Sequence, residues 1–581
     1  MKAKFVIVLF TICSISFAQQ STDSGISRNI EVIKEYNPEI REAGKMNTMP
    51  VLTDIETKKI KTDYSVRTTP LVLNNVLNPS LDYATAAPRP LSYYKDRFVK
   101  AGIGNYISFL GELYTPVYKD QQYLIDLYLK HNSSFGNVKL TPELYPALPK
   151  TIESRALSND NQFRIALLKS SQGKEFSSFA GFRYNQFDYY GYDSFRDSVA
   201  NVPDYQSPID EEYRKQAFTN FDLNLRYRTK EFVSHWKYDL QTNYQLFRNK
   251  NQLTEHTIFT DLTGNYRVEN SIFGANFKMY NIFLNKPSSG SSAMYNFDNI
   301  TDYTVIKLNP YYSLDGKAGS LVIGIKGFFN INRGKPLPVA PDIYGNVKII
   351  NRMLYVYAGV TGDLEVNNYR TVTQLNPYIS PDKQIENTHI PIDVYAGTKL
   401  NLFDQLNADF FIGYKIIKDA HFFINKRTAR DSLAPYYNTF DVVYEKKDAG
   451  LFNAGLTLCY DWKEKVNIIF KSQYNKWSLN DTEKPWQLPI WKIDFQTTYN
   501  ATDYLRFCLM YHFEGGRYAF VNGHAEALKN VSDLSLGVNY KLLSFMNLFL
   551  NLNNIFNQEY ATWYGYTAHR FNLMGGVSVL F

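Results

Sequence analysis

The chain has 581 residues, a hydrophobic content of 44% and a formal net charge of +7 at pH 7. A net charge this small, with no basic cluster interleaved with aromatic residues, argues against a nucleic-acid partner. The mean hydropathy is -0.34, and no stretch after residue 18 approaches the roughly 20 apolar residues of a membrane-spanning helix. A helical membrane protein is therefore excluded.

The N-terminus has the organisation of a secretory signal peptide. Lys2 and Lys4 give a positive start, and an apolar run over residues 5–17 follows. The run is too short to span a bilayer as a permanent helix. Small residues occupy the two positions that a signal peptidase reads before Gln19. We therefore predict a signal peptide over residues 1–18 and export from the cytoplasm.

Residues 19–97 differ from the rest of the chain. They are charged and weakly patterned, and six prolines interrupt any long element. We predict a non-globular segment that lies in the periplasm or enters the lumen of the domain that follows.

From Phe98 onward one pattern repeats: a strand of ten to fifteen residues, a tight turn, a second strand and a long polar loop. The tight turns centre near Gln172, Lys230, Asn270, Gly316, Asn351, Asp404, Lys463, Thr502 and Leu543. Their spacing of about 46 residues places ten or eleven hairpins in residues 98–581. Single-chain bacterial barrels have an even strand count. We predict an all-β, transmembrane antiparallel β-barrel of about 22 strands, with 20 as the alternative.

Alternation within the strands separates two faces. The apolar sets are Leu505, Phe507, Leu509, Tyr511 and Phe513; Leu406, Ala408, Phe410, Ile412, Tyr414 and Ile416; and Leu354, Val356, Ala358, Val360 and Leu364. The interleaved sets carry the charges, which are costly in lipid and must face an aqueous lumen. Among them Arg506, His512 and Glu514 are candidates for contact with a solute. The alternative is that they form the ordinary polar lining of a wide barrel.

The loops opposite the tight turns are long and polar. They run over residues 191–214, 286–300, 368–390, 419–444 and 476–489. Short turns on one side and long loops on the other are typical of outer-membrane barrels. Aromatic residues, 16% of the chain, suit the two interfacial girdles of such a barrel. We expect an integral outer-membrane protein with a periplasmic N-terminus, whose first partner is outer-membrane lipid.

The last strand has the pattern of a barrel-assembly strand. Its apolar set includes Phe571, Leu573, Val577, Val579 and Phe581, and the chain ends on that phenylalanine. The barrel-assembly machinery is therefore an expected partner.

The segment before this strand contains Asn554, Phe556, Asn557, Tyr560 and Arg570. With the terminal phenylalanine, it resembles the last two strands of TonB-dependent outer-membrane receptors, although His569 stands where that family usually has glycine. The resemblance implies a receptor barrel that transports a solute. It covers the barrel alone, because the glycine-rich plug pattern of the family is missing before Phe98. Ile30–Ile33 could pass for a TonB-contacting box, but TonB engagement does not carry over with the barrel.

No motif in the chain predicts a catalytic site or a site for a metal or cofactor. The eight histidines show no metal-binding spacing, and no phosphate loop precedes a helix, so we expect no metal and no cofactor. Once Cys13 leaves with the signal peptide, Cys459 and Cys508 remain with two other strands expected between them, and we expect no structural disulfide. We expect no enzymatic activity.

Three functions stay open. The first is transport of a solute or polymer through the lumen. The second is a non-transporting platform that docks periplasmic proteins, lipoproteins or a secretion or assembly complex. The third is a barrel hydrolase with an active site at the rim. In each case a lumen of this strand number needs a seal. Residues 19–97, inward-folded loops and a bound partner are the candidates, and we favour residues 19–97.

Overall fold

The structure is a computed structural model that describes residues 97–581, except for 146–149, 172, 192–213, 288–296, 336, 403–404, 426–438, 464 and 522. The signal peptide and residues 19–96, with Ile30–Ile33, lie outside the described residues. Within the described part of the chain, no helix is long and apolar enough to cross a membrane.

Strands dominate the described residues. They are β1 (Phe98–Gly104), β2 (Ser108–Lys119), β3 (Tyr123–Ser134), β4 (Asn137–Leu140), β5 (Ile152–Arg155), β6 (Ser158–Ser171), β7 (Lys174–Asp188), β8 (Lys215–Thr229), β9 (Trp236–Asn249), β10 (Thr254–Val268), β11 (Ser271–Asn285), β12 (Tyr303–Asp315), β13 (Gly319–Ile331), β14 (Val339–Ile350), β15 (Leu354–Glu365), β16 (Thr388–Leu402), β17 (Leu406–Lys418), β18 (Ala420–Asn425), β19 (Phe440–Glu445), β20 (Ala449–Trp462), β21 (Val466–Ser478), β22 (Trp491–Asn500), β23 (Leu505–Gly515), β24 (Tyr518–Val521), β25 (His524–Ala527), β26 (Val531–Leu543), β27 (Met546–Asn553), β28 (Ala561–Trp563), β29 (Tyr566–Thr567) and β30 (Asn572–Leu580). One short helix, α1 (Tyr369–Leu375), lies between β15 and β16.

Twenty-two of these strands form one closed antiparallel sheet. Each strand pairs with its neighbours in chain order, and β1 closes the sheet by pairing with both β2 and β30. Closure leaves no free strand edge, as a bilayer requires. The predicted 22-strand barrel is confirmed, and the alternative of 20 is wrong. The other eight strands form four hairpins, β4–β5, β18–β19, β24–β25 and β28–β29, within loops.

The long connections all lie at one end of the barrel, which also has two short ones, 105–107 and 250–253. Tight connections follow β6, β8, β10, β12, β14, β16, β20, β22 and β26, which confirms the nine predicted turns; Gln172 and Asp404 themselves are not among the described residues. A tenth tight turn, 120–122, was not predicted. The chain enters β1 and leaves β30 at the end of the barrel that carries these tight turns, which we call the turn end. The long connections lie at the opposite end, which we call the loop end.

The two faces of the strands agree with the predicted alternation in β17 and β23. Phe410, Ile412 and Tyr414 of β17 are 47%, 44% and 46% exposed on the outer surface. Phe411, between them, is buried on the inner face. Cys459 and Cys508 both face inward on β20 and β23, with β21 and β22 between them as expected.

One residue departs from the alternation. Leu364 was predicted on the lipid face, but it is 2% exposed and belongs to an apolar core at the loop end. The pairing of β15 with β16 shifts register between Thr361 and Asp363. A bulge of this kind interrupts the two-residue period, so the prediction for Leu364 is wrong.

Candidate functional site

The inner wall is lined by paired charges. Basic and acidic side chains meet across neighbouring strands at Arg183–Asp160, Arg226–Asp239, Arg228–Glu175, Lys278–Asp261, Lys326–Asp342, Lys399–Asp409, Lys415–Asp393 and Lys492–Glu514. Such cross-strand pairs keep charged groups satisfied on the face that lipid does not reach. The lumen is polar over most of its circumference.

Two of the three predicted lining residues lie together near the loop end of β23. His512 Nδ1 is 2.6 Å from Asp494 Oδ1, and His512 Nε2 is 3.5 Å from Glu514 Oε1. The second carboxylate oxygen of Glu514 lies 3.8 Å from Arg517, which is 2% exposed. This cluster borders a cavity in the wall that Lys471 also lines. It presents both signs of charge to a polar solute.

The third predicted residue stands apart. Arg506 is at the turn end of β23, where its Nε donates to Asn500 Oδ1 at 2.7 Å. It lies six positions before His512, a distance of about 20 Å along the strand. The three residues therefore do not form one site.

The family-like motif folds the connection between β27 and β30, residues 554–571, which we call the hub loop. Asn554 adopts a left-handed φ of 47°, and its side chain accepts from Gln558 N at 2.9 Å. Its backbone N–H donates to the carboxylate of Asp533 on β26 at 3.1 Å. Tyr560 donates its hydroxyl to the other oxygen of Asp533 at 2.9 Å. The motif ties the hub loop to the inner wall.

The rest of the motif joins the hub loop to the last strand. Asn557, also in a left-handed conformation with φ of 51°, accepts from Phe571 N at 3.2 Å. Arg570 Nε donates to the Asn557 carbonyl at 3.3 Å. Phe556 is 56% exposed, and its ring lies edge-on to Tyr511 of β23 with centroids 6.5 Å apart. In this structure four of the five motif residues position a loop.

Residues of the last strand lie where the pattern placed them, except that Phe571 precedes the strand. Leu573 and Val577 are exposed on the outer face, and Val579 pairs with Val99 of β1. Phe581 donates its backbone N–H to Arg97 O at 3.0 Å, on the turn side of the seam. The pairing of β30 with β1 thus closes the barrel.

At least four other loops make hydrogen bonds with the hub loop. Tyr145 bonds Thr567 Oγ1 at 3.0 Å, and Tyr190 donates to the Thr567 carbonyl at 3.0 Å. Arg517 donates to the Ala561 carbonyl at 2.8 Å. The fourth contact is from Gln487, whose side chain accepts from Tyr564 N at 3.3 Å. Loops from widely separated strands therefore meet at one segment.

Several loops share an apolar core with the inner wall, which we call the loop-end core. Its members are Phe187, Tyr189, Phe247, Leu253, Ile282, Leu284, Phe297, Ile300, Tyr303, Val305, Phe328, Ala340, Leu364, Tyr369, Val372, Tyr378, Ile379, Ile385, Phe423, Phe440, Trp563 and Tyr566. All are at most 8% exposed. Burial of this many aromatic and aliphatic side chains favours a single folded unit over separate flexible loops. We call this unit, the loop-end core together with the loops that surround it, the cap.

Sequence reasoning missed the loop-end core. The loops were read as polar, and Tyr378, Phe440 and Trp563 were not singled out. Their aromatic side chains in otherwise polar stretches were the available signal. The contacts themselves could not be read, because they join segments up to hundreds of residues apart.

Two histidines of the cap are held neutral. His421, on the β18–β19 hairpin, lies between the rings of Phe423 and Tyr444, and burial lowers its pKa to about 4. His569, in the hub loop, packs against Tyr106 with ring centroids 4.4 Å apart. Burial lowers the pKa of His569 to about 4 as well.

Comparison with known structures finds the same barrel in several receptors. A ferric enterobactin receptor of Pseudomonas aeruginosa matches over 84% of this chain and 81% of its own, with a TM-score of 0.60 at 11% identity. A siderophore receptor of Acinetobacter baumannii covers 84% and 80%, with a TM-score of 0.62 at 11% identity. The FrpB iron transporter of Neisseria meningitidis covers 85% and 82%, with a TM-score of 0.60 at 13% identity. No protein-family model and no curated protein sequence matches this chain. The likeness confirms the receptor-type barrel fold that the C-terminal motif indicated.

Proposed function

We propose that this protein is an outer-membrane uptake receptor whose barrel passes a solute through its lumen. The observation that carries the proposal is the fold: the barrel matches siderophore receptors and an iron transporter over 84–85% of the chain. The polar inner wall supports it, because a lumen lined by charged pairs is wetted and can hold a polar solute.

An iron chelate is the solute class that we propose first. The similar structures include receptors for ferric enterobactin and for siderophores. Such chelates are polar and charged, and the Asp494–His512–Glu514 cluster offers both signs of charge beside a wall cavity. The hydrolase alternative draws no support from this cluster, because both ring nitrogens of His512 face carboxylates, of Asp494 and Glu514, and neither faces a hydroxyl nucleophile.

Uptake by cells tests the proposal. A strain lacking the chromosomal copy is complemented with the full-length protein and given radioactive iron as ferric enterobactin or as a ferric hydroxamate. We expect complementation to raise energy-dependent accumulation of at least one chelate. The double variant Asp494→Asn/His512→Gln should lower it, whereas the lipid-facing control Phe410→Leu should not. Heat-modifiable mobility shows that each variant has assembled.

A protonophore arm of the same experiment addresses the energy source. Collapse of uptake would support a TonB-type partner acting on the N-terminal segment. Equal accumulation in the deletion and complemented strains, for both chelates, would contradict uptake of this solute class. Stable capture of lipoproteins or secretion components in that case would favour the platform function.

A further inference from the structure

We propose that the loop-end core is the permeability barrier of this barrel, and that the ion pair between Arg370 and Asp222 latches it to the wall. The barrier would then be built from loops, whereas residues 19–97 were the seal favoured from sequence. The inference does not depend on which solute is carried, because any barrel of this width needs a seal.

The loop that carries α1 crosses the mouth of the barrel. It leaves β15 at residue 366 and rejoins the wall at Thr388, yet several of its polar contacts lie on strands β8, β10 and β12. These strands are separated from β15 by three to seven positions around the barrel. A loop anchored on one side of the lumen and bonded to another spans the opening.

The contacts with β10 and β12 hold the start of the helix. The Glu255 carboxylate accepts from the backbone N–H groups of Tyr369 at 2.8 Å and Arg370 at 3.4 Å. Asn368, the N-cap, donates its side-chain amide to Thr257 Oγ1 at 3.3 Å. Tyr303 donates to the carbonyl of Asn367 at 2.5 Å. A carboxylate at a helix N-terminus satisfies backbone donors that would otherwise be buried without partners.

The deepest contact is the ion pair. Asp222 is the eighth residue of the fifteen in β8, and both its oxygens accept from Arg370, at 2.6 and 2.9 Å. A two-pronged arginine–carboxylate pair fixes orientation as well as distance. The Arg370 side chain therefore reaches from the cap to the middle of the barrel wall.

Apolar packing completes the barrier. Val372 of the helix is fully buried, as are Ile282 and Val305 of the wall. Farther along the same loop, Tyr378 stacks on Tyr566 of the hub loop. The loop is thus held to the wall by charge and to the hub loop by aromatic contact.

Charge reversal tests the latch in the full-length protein. The variants are Arg370→Asp, Asp222→Arg and the double swap, with Lys399→Asp as a control that reverses a charge in another lumen pair, 3.4 Å from Asp409. Purified proteins are inserted in planar bilayers, and ion conductance is recorded. Conductance is recorded only from preparations whose gel mobility changes on heating, because this change shows that the barrel has assembled.

We expect the wild type and Lys399→Asp to conduct little and each latch reversal to conduct several-fold more. The double swap should restore low conductance, because it rebuilds the pair with opposite polarity. Wild-type conductance in both single reversals would overturn the latch. To test the barrier itself, Tyr378→Ala/Tyr566→Ala is compared with a deletion of residues 19–90. High conductance in the deletion alone would place the seal in the N-terminal segment and overturn the proposal.

Discussion

The rings of Tyr378 and Tyr566 stack with their centroids 3.4 Å apart and their planes inclined by 14°. One comes from the loop between β15 and β16, the other from the hub loop before the last strand. Tyr566 is also edge-on to Tyr190 at 5.0 Å, so a third loop meets the same ring. This contact joins loops from distant parts of the barrel, and the stability of each loop should depend on the others.

Removing either ring should therefore loosen both loops. Tyr378→Ala and Tyr566→Ala should each speed hydrogen exchange at the Ser380 amide, which donates to the Phe440 carbonyl at 2.8 Å. Since the two rings contact each other, the double variant should lose less loop stability than the sum of the losses in the two single variants. The expected coupling is about 0.5–1.5 kcal/mol. Tyr540→Ala, on the lipid-facing surface, is the control, and strict additivity would show that the stack carries no coupling.

A second prediction concerns the anchor of the hub loop. Tyr560→Phe removes a hydrogen bond to the buried carboxylate of Asp533, a loss of about 1.5–3 kcal/mol for a charged acceptor. Limited proteolysis should cut the hub loop of this variant faster than that of the wild type, while the barrel keeps its heat-modifiable mobility. Phe556→Leu, at an exposed position of the same loop, should behave as wild type. Equal cleavage of Tyr560→Phe and wild type would show that this bond does not hold the loop.

The fold was largely predictable, for a physical reason. Lipid on one side and water on the other impose a strict two-residue period, and β17 and β23 display it without interruption. The turn at 120–122 was missed, and the bulge that displaces Leu364 could not be read from alternation. The cap was unpredictable in a different way, because contacts such as Tyr378–Tyr566 depend on which loops meet in space. The lining residues show both outcomes: His512 and Glu514 come together, and Arg506 does not join them.

The neutral histidines of the cap predict a dependence on pH. In the unfolded chain each would titrate near 6.5, whereas in the folded cap the pKa of His421 and of His569 is about 4. Between these values the unfolded loops bind more protons, so the cap loses stability as the pH falls from about 6.5 towards 4. Above pH 6.5 the two histidines should have no effect.

Proteolysis of the loops across this pH range provides the measurement, with an acid-active protease normalised on an unfolded peptide. The variant His421→Gln/His569→Gln carries neutral amides at both positions and should show a flatter profile than the wild type. Parallel profiles would mean that other groups set the acid response of the cap.

The chain end should matter for assembly. Phe581 is 54% exposed on the outside, and its backbone bonds to Arg97 across the seam between the first and last strands. Deleting Phe581 should lower the amount of membrane-inserted protein, whereas protein that does insert should carry solute normally. Quantitative blotting of outer-membrane fractions measures this. Unchanged levels would show that the terminal aromatic is incidental.

The closed barrel in the outer membrane is the claim on which the rest depends, and gel mobility tests it most directly. A sheet without free edges resists detergent until it is heated. We predict that the protein fractionates with the outer membrane and migrates differently before and after boiling in detergent. Recovery in the soluble periplasmic fraction, with the same mobility whether or not the sample is boiled, would contradict the account.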